Sequence, residues 1–141
     1  MQTLTANEYG FLADLASAYR DVHLRSLKQY DGWNPRLGVD ALCFQQDGVG
    51  RMVGALITPC ELWLVMVPDP SRLTEPLADA LTLALPSGAY RLFLERLPGG
   101  YELYKRAILH DLGELESMQE AARLAQQMME RLMQPVEASN A

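Results

Sequence analysis

The sequence predicts an α+β domain, a mainly antiparallel sheet of about five strands with helices packed on it. Apolar residues recur at helical spacing near both ends of the chain, and between them the period falls to two. Most strand connections are of hairpin length, which joins antiparallel neighbours. The expected order is helix, three strands, helix, two strands, helix. A parallel doubly wound sheet needs regular strand–helix alternation, which is absent.

The first helix opens on Thr5 and Glu8, whose spacing is that of a capping box. Leu12, Leu15, Ala16, Tyr19 and Val22 then share one face, and the pattern fades near Tyr30. Asp31-Gly32-Trp33-Asn34-Pro35 reads as a loop. In the first strand, Leu37, Val39, Ala41 and Cys43 are expected on one face and Leu42 and Phe44 on the other. Residues 46–50 are turn-like. A second strand is expected over residues 51–58, interrupted by Pro59, which cannot donate to a ladder. The third covers residues 60–67, with Leu62, Leu64 and Met66 opposite Trp63, Val65 and Val67. Apolar on both faces, it should be a central strand.

Pro68-Asp69-Pro70-Ser71 ends this segment. Thr74 as cap and Pro76 in the first turn predict a short middle helix with Leu77, Ala80, Leu81 and Ala84 buried, stopped by Pro86-Ser87-Gly88. Tyr90, Leu92 and Leu94 alternate with Arg91, Phe93 and Glu95 in a fourth strand. Pro98-Gly99-Gly100 is a hairpin turn into a fifth strand over residues 101–109. Ser117 and Glu120 form a second capping box, followed by a broad apolar stripe of Met118, Ala121, Ala122, Ala125, Met128, Met129, Leu132 and Met133. Pro135 ends that helix, and residues 136–141 read as a frayed tail. No repeat or linker divides the chain, so residues 1–141 are expected to form one domain.

At 141 residues the chain can bury roughly 70% of its unfolded surface, so it needs neither disulfide nor metal to fold. A formal charge of −6 argues against nucleic acid as a partner and favours a basic peptide or protein surface. Two cysteines, Cys43 and Cys60, without a Cys-x-x-Cys pair suggest reduced thiols in a cytoplasmic protein. No signal peptide precedes the first helix, and the longest strongly apolar run, residues 62–67, is too short to span a bilayer. A cytoplasmic protein without membrane insertion is expected.

The chemistry-bearing residues form no recognisable catalytic set. His23 and His110 are far apart in sequence and neither adjoins a cysteine, so they read as surface or capping residues and no metal site is expected. Gly48-Val49-Gly50 lacks the residues of a phosphate-cradling loop, and no Gly-x-Ser-x-Gly elbow occurs. Cys60 shows no device that would lower its pKa and reads as a buried structural thiol. Asp111, Glu114, Glu116 and Glu120 gather near the start of the last helix, where they suit the helix dipole or receive a cationic segment. Among seven methionines, Met128, Met129 and Met133 fill a core or serve an adaptable binding surface. Trp33, in a Gly/Pro loop, is an interface anchor or a lid over one edge of the core.

The segment from Asn34-Pro35 through Leu37, Val39 and Ala41 to Gly54-Ala55-Leu56-Ile57-Thr58-Pro59, and on to Val65-Met66-Val67-Pro68, resembles the HybE-type [NiFe]-hydrogenase assembly chaperones. Gly54, Ile57, Thr58, Pro59 and Pro68 match that family's spacing, and the resemblance continues through Leu85-Pro86-x-Gly88 to the Met-Gln-Glu-Ala helix start near Met118. Two departures stand out. Cys60 replaces the family's usual Trp, and residues 108–112 replace its Ser-Leu-x-Ser-Pro signature. The resemblance implies a single chaperone domain with no enzymatic activity and no cofactor. Its partners would be the small or large subunit precursor of a [NiFe] hydrogenase, with the small subunit's twin-arginine signal peptide as one target, and other maturation proteins. Trp33, Cys60, Trp63, Met128 and Met129 are the expected partner contacts. The alternative, from the residues alone, is a small-ligand-binding or thiol-redox helper using Cys43 and Cys60.

Overall fold

The structure, a computed structural model, describes residues 4–27, 34–46, 51–68, 78–96, 101–110 and 112–135, with only the backbone for 21–27. Helix α1 (Ala6–Leu27) leads into β1 (Asp40–Gln46), β2 (Met52–Ile57) and β3 (Leu62–Val67). Strands β4 (Ala80–Leu85), β5 (Gly88–Arg96) and β6 (Glu102–Leu109) follow, and α2 (Met118–Leu132) comes last. The strands form one six-stranded sheet in the order β1-β2-β3-β6-β5-β4, antiparallel throughout. The α+β class therefore holds, with six strands where five were expected.

The added strand corrects the expected middle helix. Ala80, Leu81 and Ala84 lie in β4, while Thr74, Pro76 and Leu77 fall outside the described residues. Leu81, Leu83 and Leu85 also recur with period two, and Leu83 and Leu85 are buried against the α2 side of the sheet. Pairing with β5 across the two-residue Pro86-Ser87 connection decides between the readings, because a cross-strand partnership leaves no mark in the spacing of apolar residues along one segment. Pro86 thus opens a hairpin rather than ending a helix, and Gly88 (φ +148) takes the backbone conformation the turn needs.

β3 lies at the heart of the sheet, as expected, and all six of its residues are buried. Leu62, Leu64 and Met66 face one core with α2, whose buried residues are Ala121, Ala125, Met128, Met129 and Leu132. Trp63, Val65 and Val67 face the other with Leu12, Leu15, Ala16 and Tyr19 of α1. Both caps form. Thr5 N–H donates to Glu8 Oε1 (2.8 Å) and Glu8 N–H to Thr5 Oγ1 (3.2 Å). At α2, Ser117 Oγ accepts from Glu120 N–H (3.2 Å), but the Glu120 carboxylate reaches Glu116 N–H (2.7 Å), so this box closes one residue early.

β1 departs from simple alternation. Leu42 pairs with Ala55 and Gln45 with Val53, leaving Cys43 and Phe44 opposite Gly54 alone. This is a β-bulge, and Cys43 sits at φ 58. The extra residue shifts the phase by one. Leu42 stays on the α2 side, whereas Phe44 turns to the α1 side with Val39 and Ala41. The expected grouping of Leu42 with Phe44, and of Cys43 with the core-facing set, is thereby corrected: Cys43 is exposed. Leu37, ahead of the strand, packs on the α2 side instead of with Val39. Phe44 lies directly on Gly54, where a Cβ would sit 2.5 Å from its ring and 2.7 Å from its Cα.

A buried corner ties the loops together. Thr58 Oγ1 accepts from Cys60 N–H (3.2 Å) and Glu61 N–H (2.9 Å), shaping the turn from β2 to β3. Pro59 O accepts from Asn34 N–H (2.9 Å). The buried Asn34 amide donates to Leu112 O (2.8 Å) and Leu115 O (2.7 Å), and its Oδ1 accepts from Arg36 N–H (3.0 Å). One side chain thus fixes the approach to α2.

Gly54→Ala is expected to lower stability by about 1–3 kcal/mol through overpacking against Phe44. The check is a fall in urea midpoint at unchanged m-value. Asn34→Ala should cost about 2 kcal/mol by removing both donors from the carbonyls before α2. Asn34→Asp, which keeps the acceptor but lacks the amide donors, should be no better in the same assay.

Candidate functional site

Helix α2 carries two flanks of mixed apolar and polar residues beside its buried seam. Gln126, Met129, Glu130 and Met133 follow one another at i, i+3, i+4 and i+7 and so share a flank. With Tyr9 of α1 and Cys43, Phe44 and Gln45 of β1, they line an open cleft of about 460 Å³. The cleft lies where β1 forms one edge of the sheet, with α1 and α2 as its walls. Glu8 accepts a hydrogen bond from Gln46 Nε2, holding the start of α1 to the end of β1. The bulge turns Cys43 outward into this space.

The lining is mixed. Met129, Met133, Phe44 and Tyr9, the last 54% exposed, supply apolar surface. Glu130 adds a carboxylate, which accepts from Gln126 Nε2 at 3.3 Å. Although Cys43 is exposed as a residue, the cleft around it partly desolvates its thiol and so raises its pKa, with the Glu130 charge adding to this. Cys60, buried on the α1 side, is also pushed up, by burial and by Glu61. Both shifts favour the protonated thiol, the opposite of an activated nucleophile.

The five expected partner contacts are scattered. Trp33 lies outside the described residues. Cys60 and Trp63 share the core under α1. Trp63 is 2% exposed, stands edge-on to Tyr19 (5.1 Å between centroids), carries Lys105 Nζ 3.9 Å from its ring centroid, and donates from Nε1 to Glu61 Oε1 at 3.0 Å. Met128 and Met129 lie across the sheet under α2. Met129 borders the cleft just described, and Met128 a second one on the opposite flank of α2. Tyr9, Phe44 and Glu130 are not among the expected contacts, whereas Met133 belongs to the expected methionine group. The helical spacing of Glu130 with Gln126 and Met133 is a usable signal, but the bulge that brings β1 to them is not.

Of the acidic group near α2, Asp111 is outside the described residues, and Glu120 is engaged in capping as the dipole reading suggested. His110 Nδ1 lies 2.9 Å from Glu61 Oε2. Among the described residues no three His, Cys, Asp or Glu side chains are grouped to hold a metal ion. None of the described helices is long and apolar enough to cross a membrane.

The sequence of residues 11–141 matches the model of a family described as [NiFe]-hydrogenase assembly, chaperone, HybE. Among solved structures, the solution structure of HybE from Escherichia coli matches with a TM-score of 0.68 at 20% identity, over 100% of this chain and 86% of that one. At that identity the likeness shows the fold. No curated protein sequence matches.

The cleft's electrostatics are open to a direct check. Glu130→Gln removes one of the two influences that raise the Cys43 pKa, so more thiolate should be present at neutral pH. Reaction of Cys43 with a disulfide reagent should quicken roughly twofold, a modest change because burial is the larger cause. Cys60 should stay unreactive until the protein is unfolded.

Proposed function

The chain belongs to the HybE family of [NiFe]-hydrogenase assembly chaperones, and on that premise we propose that it holds a hydrogenase subunit precursor in the cytoplasm before assembly and export. It works by binding and carries out no reaction. The precursor of the small subunit, with its twin-arginine signal peptide, is the partner whose chemistry suits the molecule. Such a peptide is basic at one end and apolar after it.

The observation that supports this reading is the cleft beside β1. Its methionines can adapt to apolar side chains of different shapes, and Glu130 stands at hand for a cation. The chain's charge of −6 would draw a basic segment in, and apolar burial would then retain it. Two thiols held toward their protonated forms speak against the thiol-helper alternative.

Purified protein immobilised on resin should retain a hydrogenase subunit precursor. Glu130→Lys should weaken retention more at low salt than at high salt. Met133→Glu, which sets a carboxylate in the apolar lining, should weaken it at all salt concentrations by roughly tenfold. Failure to retain either subunit, with both soluble and the chaperone folded, would defeat the proposal.

A further inference from the structure

The second cleft, on the far flank of α2, has the opposite charge. Leu124, Gln127, Met128 and Arg131 form its helical wall, again spaced i, i+3, i+4 and i+7. The facing wall is Ile108 and Leu109 of β6. A second bulge creates that wall: β3 residues Leu62 and Trp63 pair with Leu109 and Ala107, leaving Ile108 unpaired. Ile108 and Leu109, which strict alternation would send to opposite faces, therefore both pack toward α2. Ile108, Leu109 and Leu124 are half-buried apolar residues around an open space of about 290 Å³. That is at the small end for a cofactor-sized ligand and suits a few side chains of a peptide.

Arg131 is the charged residue of this lining; it stands in the last turn of α2, where a cation suits the helix dipole, and its side chain reaches no hydrogen-bond or ion-pair partner among the described residues. No carboxylate among the described residues pairs with it. Three of the last four carbonyls of α2 are satisfied without it. Met129 O accepts from Met133 N–H, Arg131 O from Gln134 N–H, and Leu132 O from Ser87 N–H. On an acidic chain, an exposed guanidinium without a described partner at the lip of an apolar cleft is a feature that an anionic ligand group would satisfy.

We propose that this cleft docks an apolar peptide segment of a partner protein that carries an aspartate or glutamate beside its apolar side chains. The carboxylate pairs with Arg131, Gln127 offers its amide, and the apolar side chains lie on Leu124, Ile108 and Leu109. The assignment stands whether or not the first cleft holds a precursor. Together the two clefts let α2 contact two chemically different segments from its two flanks.

The test uses a fluorescein-labelled peptide of Leu and Phe residues followed by Asp, and its counterpart with Lys in place of Asp. The Asp peptide should bind the full chain and shift amide resonances of Leu109, Leu124, Gln127 and Arg131. Arg131→Glu should weaken it roughly tenfold and Arg131→Gln by less, both in protein whose amide spectrum away from this cleft is unchanged. No binding of the Asp peptide, shifts centred on Cys43 and Gln126, or indifference to Arg131→Glu would overturn the proposal. So would self-association that depends on Arg131, because the occupant would then be a second copy. The Lys peptide reports separately on the first cleft, so failure there is told apart from failure here.

Discussion

Strand β3 imposes the main constraint on this molecule. Leu62 to Val67 is apolar at every position, so neither face can meet water, and an uncovered edge would leave backbone groups unpaired. Four elements answer those needs. β2 and β6 take the edges, α1 covers the Trp63 face, and α2 covers the Leu64 face. The remaining strands extend the sheet outward from this centre. At one edge, β1 meets the end of α2 beside Met133, and at the other the β4–β5 turn reaches Leu132 through Ser87. The sheet thus closes toward its last helix from both sides.

The regular parts hold the molecule together, and its irregular parts open its surface. Two of the five strand pairings slip by one residue, each beside a cleft, at Cys43-Phe44 in β1 and at Ile108 in β6. A bulge re-aims side chains without breaking the sheet, which is how apolar residues come to line a groove instead of the core. Because α2 borders both grooves, its circumference divides into a buried seam, a flank ending in Glu130 and a flank ending in Arg131.

Where local signals decide conformation, the sequence was legible. The Thr5/Glu8 pair, the two-sided run around Trp63 and the stripe from Met118 all behave in the structure as their spacing implies. Residues 80–85 were misread because alanine and leucine at three- and four-residue intervals fit a helix, and only partnership with β5 settles the matter. The bulges were illegible for a related reason. The first depends on Gly54 lacking a side chain beneath Phe44, a fact about two strands at once. The family was readable, and the reason is physical: Asn34, Gly54, Thr58 and Pro59 shape the bulge and the buried corner. A motif made of fold-determining residues reveals kinship and says little about the ligand. Cys60 and Trp63, which border that motif, lie in the core under α1, and Met129, expected to make contacts because methionine adapts, is mostly buried too but borders a cleft.

The strand order has a bearing on how the chain is born. β3 is bordered on one side by β2, its predecessor, and on the other by β6, which is synthesised only after β4 and β5. While the polypeptide emerges from the ribosome, the apolar ribbon at Leu62 therefore waits with one margin bare. Its Leu64 face waits longer still, until the carboxyl-terminal helix arrives. During that interval the nascent chain displays greasy surface and an open strand edge, the features that make young polypeptides clump. A protein whose family attends to the assembly of others is thus, for the length of its own translation, a molecule that itself needs attending.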